Sequence, residues 1–176
     1  MTRSSAGLLR LVLRGISWRA CVILTVGGNS CGMNGWITGR PPAVDEVIAR
    51  WDVERPPQLQ DLRRELQQLV RAGRIATPAD ADDVAERLVI VVTELTSNAL
   101  RHGQPPTIVM LFRSDGQVIV DVVDHDENSV PAVDRHRAPA RGGLGLQVVQ
   151  RLAVAVGWYA ADRVKHVWAS LTLRTH

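Results

Sequence analysis

Apolar residues recur at helical spacing over two long stretches of this chain and alternate with polar ones over several short stretches. Leu59, Leu62, Leu66, Leu69 and Val70 form one stripe. It predicts a helix entered at Pro56-Pro57 and stopped at Gly73. Val84, Leu88, Val91, Leu95 and Ala99 form a second stripe, on a helix ending near Gly103. Thr77-Pro78 reads as its N-cap and first turn, with Asp80, Asp82 and Asp83 complementing the helix dipole. Residues 47–53 read as a first strand with imperfect alternation. Residues 107–112 and 118–123 read as a hairpin closed by Ser114-Asp115-Gly116. A third helix is expected to turn Gly145, Val148, Val149, Leu152 and Val156 inward and to stop at Gly157. Strands over 158–161 and 166–173 then close the domain.

The resulting order is strand, helix, helix, two strands, loop, helix, two strands. That order predicts a two-layer α/β sandwich, a mixed and mostly antiparallel sheet with helices on one face. A doubly wound sheet would need strict alternation of strands and helices, and it is absent. Residues 125–141 show no periodicity and contain Pro131 and Pro139, as a lid or binding loop would. The stretch from Gly27-Gly28 to Pro41-Pro42 reads as linker. Residues 1–40 are therefore expected to be leader and linker, and residues 41–176 the domain.

Composition narrows the class. Hydrophobic content of 45% with 22% charge belongs to a globular chain and not to a disordered one. The sequence pI of about 9.5 suggests nucleic acid until the charge is located. Arg3, Arg10, Arg14 and Arg19 lie within residues 1–32, which hold no acid. Beyond them 17 basic residues face 18 acidic ones. That body is nearly neutral and argues against a direct nucleic-acid surface. Only Lys165 among the 21 basic residues is lysine. Cys21 and Cys31 have no zinc spacing and suggest no disulfide framework.

No apolar run approaches the roughly 18 residues of a membrane span. The leader has early arginines and a short apolar patch at Cys21-Val-Ile-Leu-Thr-Val26, but Arg14 and Arg19 interrupt a signal-peptide pattern. Two readings stay open: translation starting at Met33, or a disordered tail.

The chemistry-bearing positions begin with Glu94 and Asn98. Four residues apart on a helix, they project about 40° from one another, on the flank of the apolar stripe. An amide oxygen with nucleotide phosphates suffices for magnesium, and a carboxylate one turn away can accept a proton or orient an attacking hydroxyl. Alone, such a pair is more often a solvated helix edge, since i,i+4 pairs of this kind are common. Gly142-Gly143-Leu144-Gly145 opens a helix, where backbone N–H groups and the helix dipole favour phosphate. It is neither a Walker loop nor a dinucleotide fingerprint. Asp124 ends an apolar strand, where a buried acid needs a donor; an adenine amine would serve, and so would a turn.

In that order the three elements resemble the GHKL (Bergerat-fold) ATPases, the superfamily of histidine kinases, type II topoisomerases and Hsp-class chaperones. Val92-Thr-Glu-Leu-Thr-Ser-Asn-Ala-Leu-Arg-His-Gly103 is similar to the N box of the anti-sigma regulatory factor, serine-protein-kinase branch. The likeness spans roughly residues 45–174. It includes Leu62-Arg63-Arg64 and the terminal Val167-Trp168-Ala169, and extends to the short ATP-binding regulators abundant in actinomycetes.

The resemblance implies the Bergerat fold and the cofactors ATP and Mg²⁺. It implies Asn98 as the magnesium ligand, Glu94 as the general base or orienting group, and Asp124 as the acceptor for the adenine amine. Gly142, Gly143, Leu144 and Gly145 would shape the phosphate lid, with Arg101 and His102 as phosphate-side neighbours. It further implies a cytoplasmic serine-protein kinase acting on an anti-anti-sigma-like protein, controlling a sigma factor, and forming a homodimer. One departure stands out: the glycines that usually follow the adenine aspartate are replaced in Asp124-His125-Asp126-Glu127-Asn128. A non-catalytic ATP-binding or protein-interaction module with the same fold is the alternative expectation.

Overall fold

The computed structural model describes residues 30–31, 36–126 and 144–173. Its elements run β1 (Ser30–Cys31), β2 (Ile37–Thr38), β3 (Glu46–Val53), α1 (Gln58–Arg71), α2 (Ala81–His102), β4 (Thr107–Ser114) and β5 (Gln117–Asp124). After residues 127–143 come α3 (Leu144–Leu152), β6 (Ala155–Ala161) and β7 (Val164–Thr172). Among the described residues the strands form one seven-stranded sheet in the order β1-β2-β6-β7-β5-β4-β3. Only the β2–β6 pairing is parallel; every other adjacent pair is antiparallel. The helices pack on one face, giving the mixed-sheet α/β sandwich that the pattern predicts.

Each helix takes its place through its apolar stripe. α1 buries Leu59, Leu62, Leu66 and Val70, and each side chain removed from water contributes roughly 1.5–3 kcal/mol. The helix stops where the pattern said it would. Gly73 adopts φ +68°, its N–H bonds to Val70 O at 2.9 Å, and the Arg74 N–H reaches Leu69 O at 3.0 Å. Those two bonds satisfy the last carbonyls, and the left-handed position between them suits glycine. α2 buries Val84, Leu88, Val91, Val92, Leu95, Thr96 and Ala99 against the sheet. At the β4–β5 hairpin, Asp115 and Gly116 have φ 32° and 72°, the positive values a two-residue turn requires.

Three expectations are corrected. First, α2 begins at Ala81, three residues beyond Pro78. The Thr77 hydroxyl donates to Asp80 Oδ2 at 2.7 Å, and the Asp80 N–H closes a turn on Thr77 O at 3.1 Å. The hydroxyl therefore builds a turn before the helix and does not cap it. Second, α3 ends at Leu152, and Val156 and Gly157 belong to β6. The Val154 N–H already bonds to Ser170 O at 2.8 Å, so the sheet captures an apolar run that fits either template. Leu146 and Val149 are the buried residues of α3, while Val148 is exposed.

The third correction concerns the stretch read as linker. Ile37–Thr38 adds a strand to the sheet beside Gly157 and Trp158, and Trp36 is buried in the main core. β2 and β3 then stand five strand positions apart, on the order of 24 Å. Residues 39–45 connect them across the face that carries no helix. Along the way Gly39 O accepts from Trp168 Nε1 at 2.8 Å and Arg40 lies over the Tyr159 ring. Val44 packs on the cluster of Phe112, Ile119, Tyr159 and Trp168, and Ala43 O accepts from Ser114 Oγ at 2.7 Å. The segment is a strap over the second apolar face.

Candidate nucleotide site

Glu94 and Asn98 occupy successive turns of α2, both half-buried at the edge of the stripe that faces the sheet. The first turn of α3 comes up against Glu94. A β-carbon on Gly145 would collide with Glu94 Oε2 and stand 2.9 Å from Cδ. Glycine at this position thus lets the backbone of one helix N-terminus meet the carboxylate of another helix. Unsatisfied N–H groups and the positive end of the dipole gather at such an N-terminus, which makes it suited to anions.

The far end of α2 meets the sheet. A β-carbon on Gly103 would stand 2.5 Å from Asp124 Cγ and 2.7 Å from Ala99 O. Gly103 therefore allows the end of α2 to press against Asp124 on β5. Asp124 is 1% exposed. Its Oδ1 accepts the Asp126 N–H at 2.9 Å, and its Oδ2 lies 3.2 Å from Lys165 Nζ. Lys165, the cross-strand partner of Asp124 in the β5–β7 ladder, is 3% exposed. A buried acid at the strand end was expected; a buried ammonium beside it was not. The available signal was compositional: one lysine among 21 basic residues, in line with the apolar alternate positions Val167, Ala169 and Leu171.

The other site residues fall as follows. Arg101 and His102 are exposed in the last turn of α2, and Arg101 Nε bonds back to Ser97 O at 3.0 Å. Leu144 is exposed at the start of α3. Gly142 and Gly143, with most of the expected lid, lie outside the described residues. Among the described residues no three His, Cys, Asp or Glu side chains gather around one point. A dication beside Asn98 would thus complete its shell with phosphate oxygens and water.

A model of the histidine kinase-like ATPase domain matches residues 53–171. The chain belongs to this family. No curated protein matches it. As a histidine kinase-like ATPase domain it has an ATP-binding fold, and Glu94, Asn98, Asp124 and Gly145 all fall within the matched span. Two glycines make the close contacts here: Gly145 lies against Glu94, and Gly103 lies against Asp124. Among the described residues no helix is long and apolar enough to cross a membrane.

The opposite face of the sheet holds a second polar cluster. His166 Nδ1 lies 2.9 Å from Asp121 Oδ2, and the His166 ring stacks on Tyr159 with centroids 4.3 Å apart. Burial pushes the Tyr159 phenol above its ordinary value; the negative charge of Asp121 adds to the shift and Arg40 opposes it. The sheet separates this cluster from α2 and so from Glu94 and Asn98.

Proposed function

We propose that this chain binds ATP with Mg²⁺ and acts as an anti-sigma-factor-type serine-protein kinase. It would transfer the γ-phosphate to a serine of an anti-anti-sigma-like partner and, in the alternative regulatory state, would itself sequester a sigma factor. The observation that supports this most is the contact of Glu94 with Gly145, one turn from Asn98 and at the N-terminus of α3. That placement suits a carboxylate beside the phosphates. Asn98 would hold Mg²⁺, which would neutralise charge on the phosphates. Glu94 would orient or deprotonate the attacking serine hydroxyl. Asp124 would accept from the adenine amine, and Gly142, Gly143, Leu144 and Gly145 would close over the phosphates. We place the protein in the cytoplasm, as a homodimer, with no direct contact to nucleic acid.

The test is incubation with labelled ATP and candidate anti-anti-sigma partners. Label should pass to a partner serine and fall by at least ~10²-fold with Glu94→Ala. Unchanged labelling would remove Glu94 from catalysis.

A second reading, a binding module without turnover, is favoured by one feature. Asp124 is followed by His125 and Asp126 and not by glycines, and the Asp126 N–H already bonds its carboxylate. Two measurements separate the readings: a module that has lost the nucleotide shows no magnesium-dependent heat with ATP, and one that binds ATP without turnover shows that heat but passes no label to a partner.

A further inference from the structure

We infer that Lys165 is a specificity-determining residue of the nucleotide site, holding Asp124 as an anionic acceptor that selects a purine with a 6-amino group. This inference rests on the reading of the site as an ATP site.

Asp124 and Lys165 are direct partners across the β5–β7 ladder, so both project to the helix-bearing side of the sheet, where Gly103 touches Asp124. Their charged atoms are 3.2 Å apart, and the side chains are 1% and 3% exposed. Burying a carboxylate alone is costly, and a cation within hydrogen-bonding distance offsets that cost. A protonated acid donates a hydrogen bond, which suits the 6-oxo oxygen of inosine or guanine. An ionised carboxylate only accepts, which suits the 6-amino group of adenine. The ammonium of Lys165 therefore bears on which purine the aspartate reads.

The carboxylate has capacity left for the base. Oδ1 accepts one bond from the Asp126 N–H and Oδ2 faces the ammonium. An ionised carboxylate offers about four lone-pair sites, so these two partners leave it acceptor capacity for an exocyclic amine. A phosphate-binding lysine would instead present its ammonium to solvent, and this one is buried against an acid.

The experiment is calorimetric titration of the full chain with Mg-ATP and with Mg-ITP, which differ in the 6-substituent. The wild type should prefer ATP by at least ~10-fold, since a site built to pair a polar group rejects the analogue lacking it. Lys165→Met should bring the ATP-to-ITP ratio to about unity, and Lys165→Arg, which keeps the charge, should retain the preference. The double variant Asp124→Asn with Lys165→Met removes both charges and leaves no lone buried ion. It should bind the two nucleotides alike and is the control for loss of the acceptor itself. Lys165→Gln, which keeps a donor without the charge, should also bring the ratio to about unity and serves if Lys165→Met fails to fold. An unchanged ratio in Lys165→Met or in Lys165→Gln, or tighter ATP binding in Lys165→Met, would overturn the inference and leave the ATP reading standing. A wild type that binds neither nucleotide would overturn both.

Discussion

The backbone of Gly145 lies against the carboxylate of Glu94, so closely that any β-carbon would overlap Oε2. The overlapped atom is the tip of a flexible side chain, which can swing aside, and alanine is the better helix former. Gly145→Ala should therefore leave thermal stability within a few degrees of wild type. The displaced carboxylate is another matter, because a misplacement of about 1 Å can cost ~10²-fold in rate. Phosphoryl transfer should fall by about that factor while the melting temperature holds. Equal turnover in the variant would separate Glu94 from the chemistry.

Gly103→Ala is expected to behave differently. Here the new β-carbon meets Asp124 Cγ and Cβ and the carbonyl of Ala99, none of which is a free side-chain tip. Overpacking of this kind typically costs ~1–3 kcal/mol. Urea denaturation should report that loss, and Mg-ATP titration should show affinity reduced at least ~10-fold as Asp124 shifts. The backbone φ of −89° is ordinary, so the effect is one of contact and not of conformation.

Tyr159 predicts an alkaline limit to stability. Burial and the charge of Asp121 hold its phenol above the ordinary value of 10.0. The folded chain therefore keeps a proton that the unfolded chain gives up. Its contribution is intact below about pH 10 and is lost as the pH climbs beyond it. Because the chain has one tyrosine, tyrosinate absorbance can be followed without overlap. It should appear together with loss of the far-ultraviolet circular dichroism; ionisation near pH 10 with the spectrum intact would contradict this.

The β6–β7 turn can be improved. Asp162 and Arg163 adopt φ 53° and 65°, a left-handed pair in which a residue with a β-carbon is disfavoured by about 1–2 kcal/mol. Glycine relieves that cost but loses more freedom on folding, about 0.5–1 kcal/mol. Arg163→Gly should therefore raise stability by roughly 0.5–1 kcal/mol, an increase of a few degrees in melting temperature. A fall in melting temperature would mean that the Arg163 side chain makes a contact of greater worth.

Much of the fold was legible because local pattern and global burial coincide. The stripe from Val84 to Ala99 has helical period and faces the sheet, and the Asp115-Gly116 turn carries its own chemistry. The placement of Glu94 and Asn98 followed from that same period. The boundary between α3 and β6 was not legible, since Leu152 to Val156 is apolar at nearly every position and fits helix and strand alike. Gly157 misled for a physical reason. It is a strand residue kept small because a β-carbon would strike the Trp168 ring 2.6 Å away, not a helix stop. The pairing of Asp124 with Lys165 depends on strand register between segments far apart in sequence, and no local pattern carries that information. The same holds for Asp121 and His166.

The strap over residues 39–45 has a consequence for length. Eight Cα steps carry the chain from Thr38 to Glu46, and at about 3.3 Å each they reach roughly 26 Å. The strands they join are five spacings apart, on the order of 24 Å straight across the sheet, so the strap runs close to extended. Side chains along the strap can change with modest effect, but its residue count works as a ruler. Removing one residue would force either β2 to part from β6 or β3 to slip along β4, and a slip of one residue reverses the facing of every side chain in that strand. Insertions should be tolerated there far better than deletions.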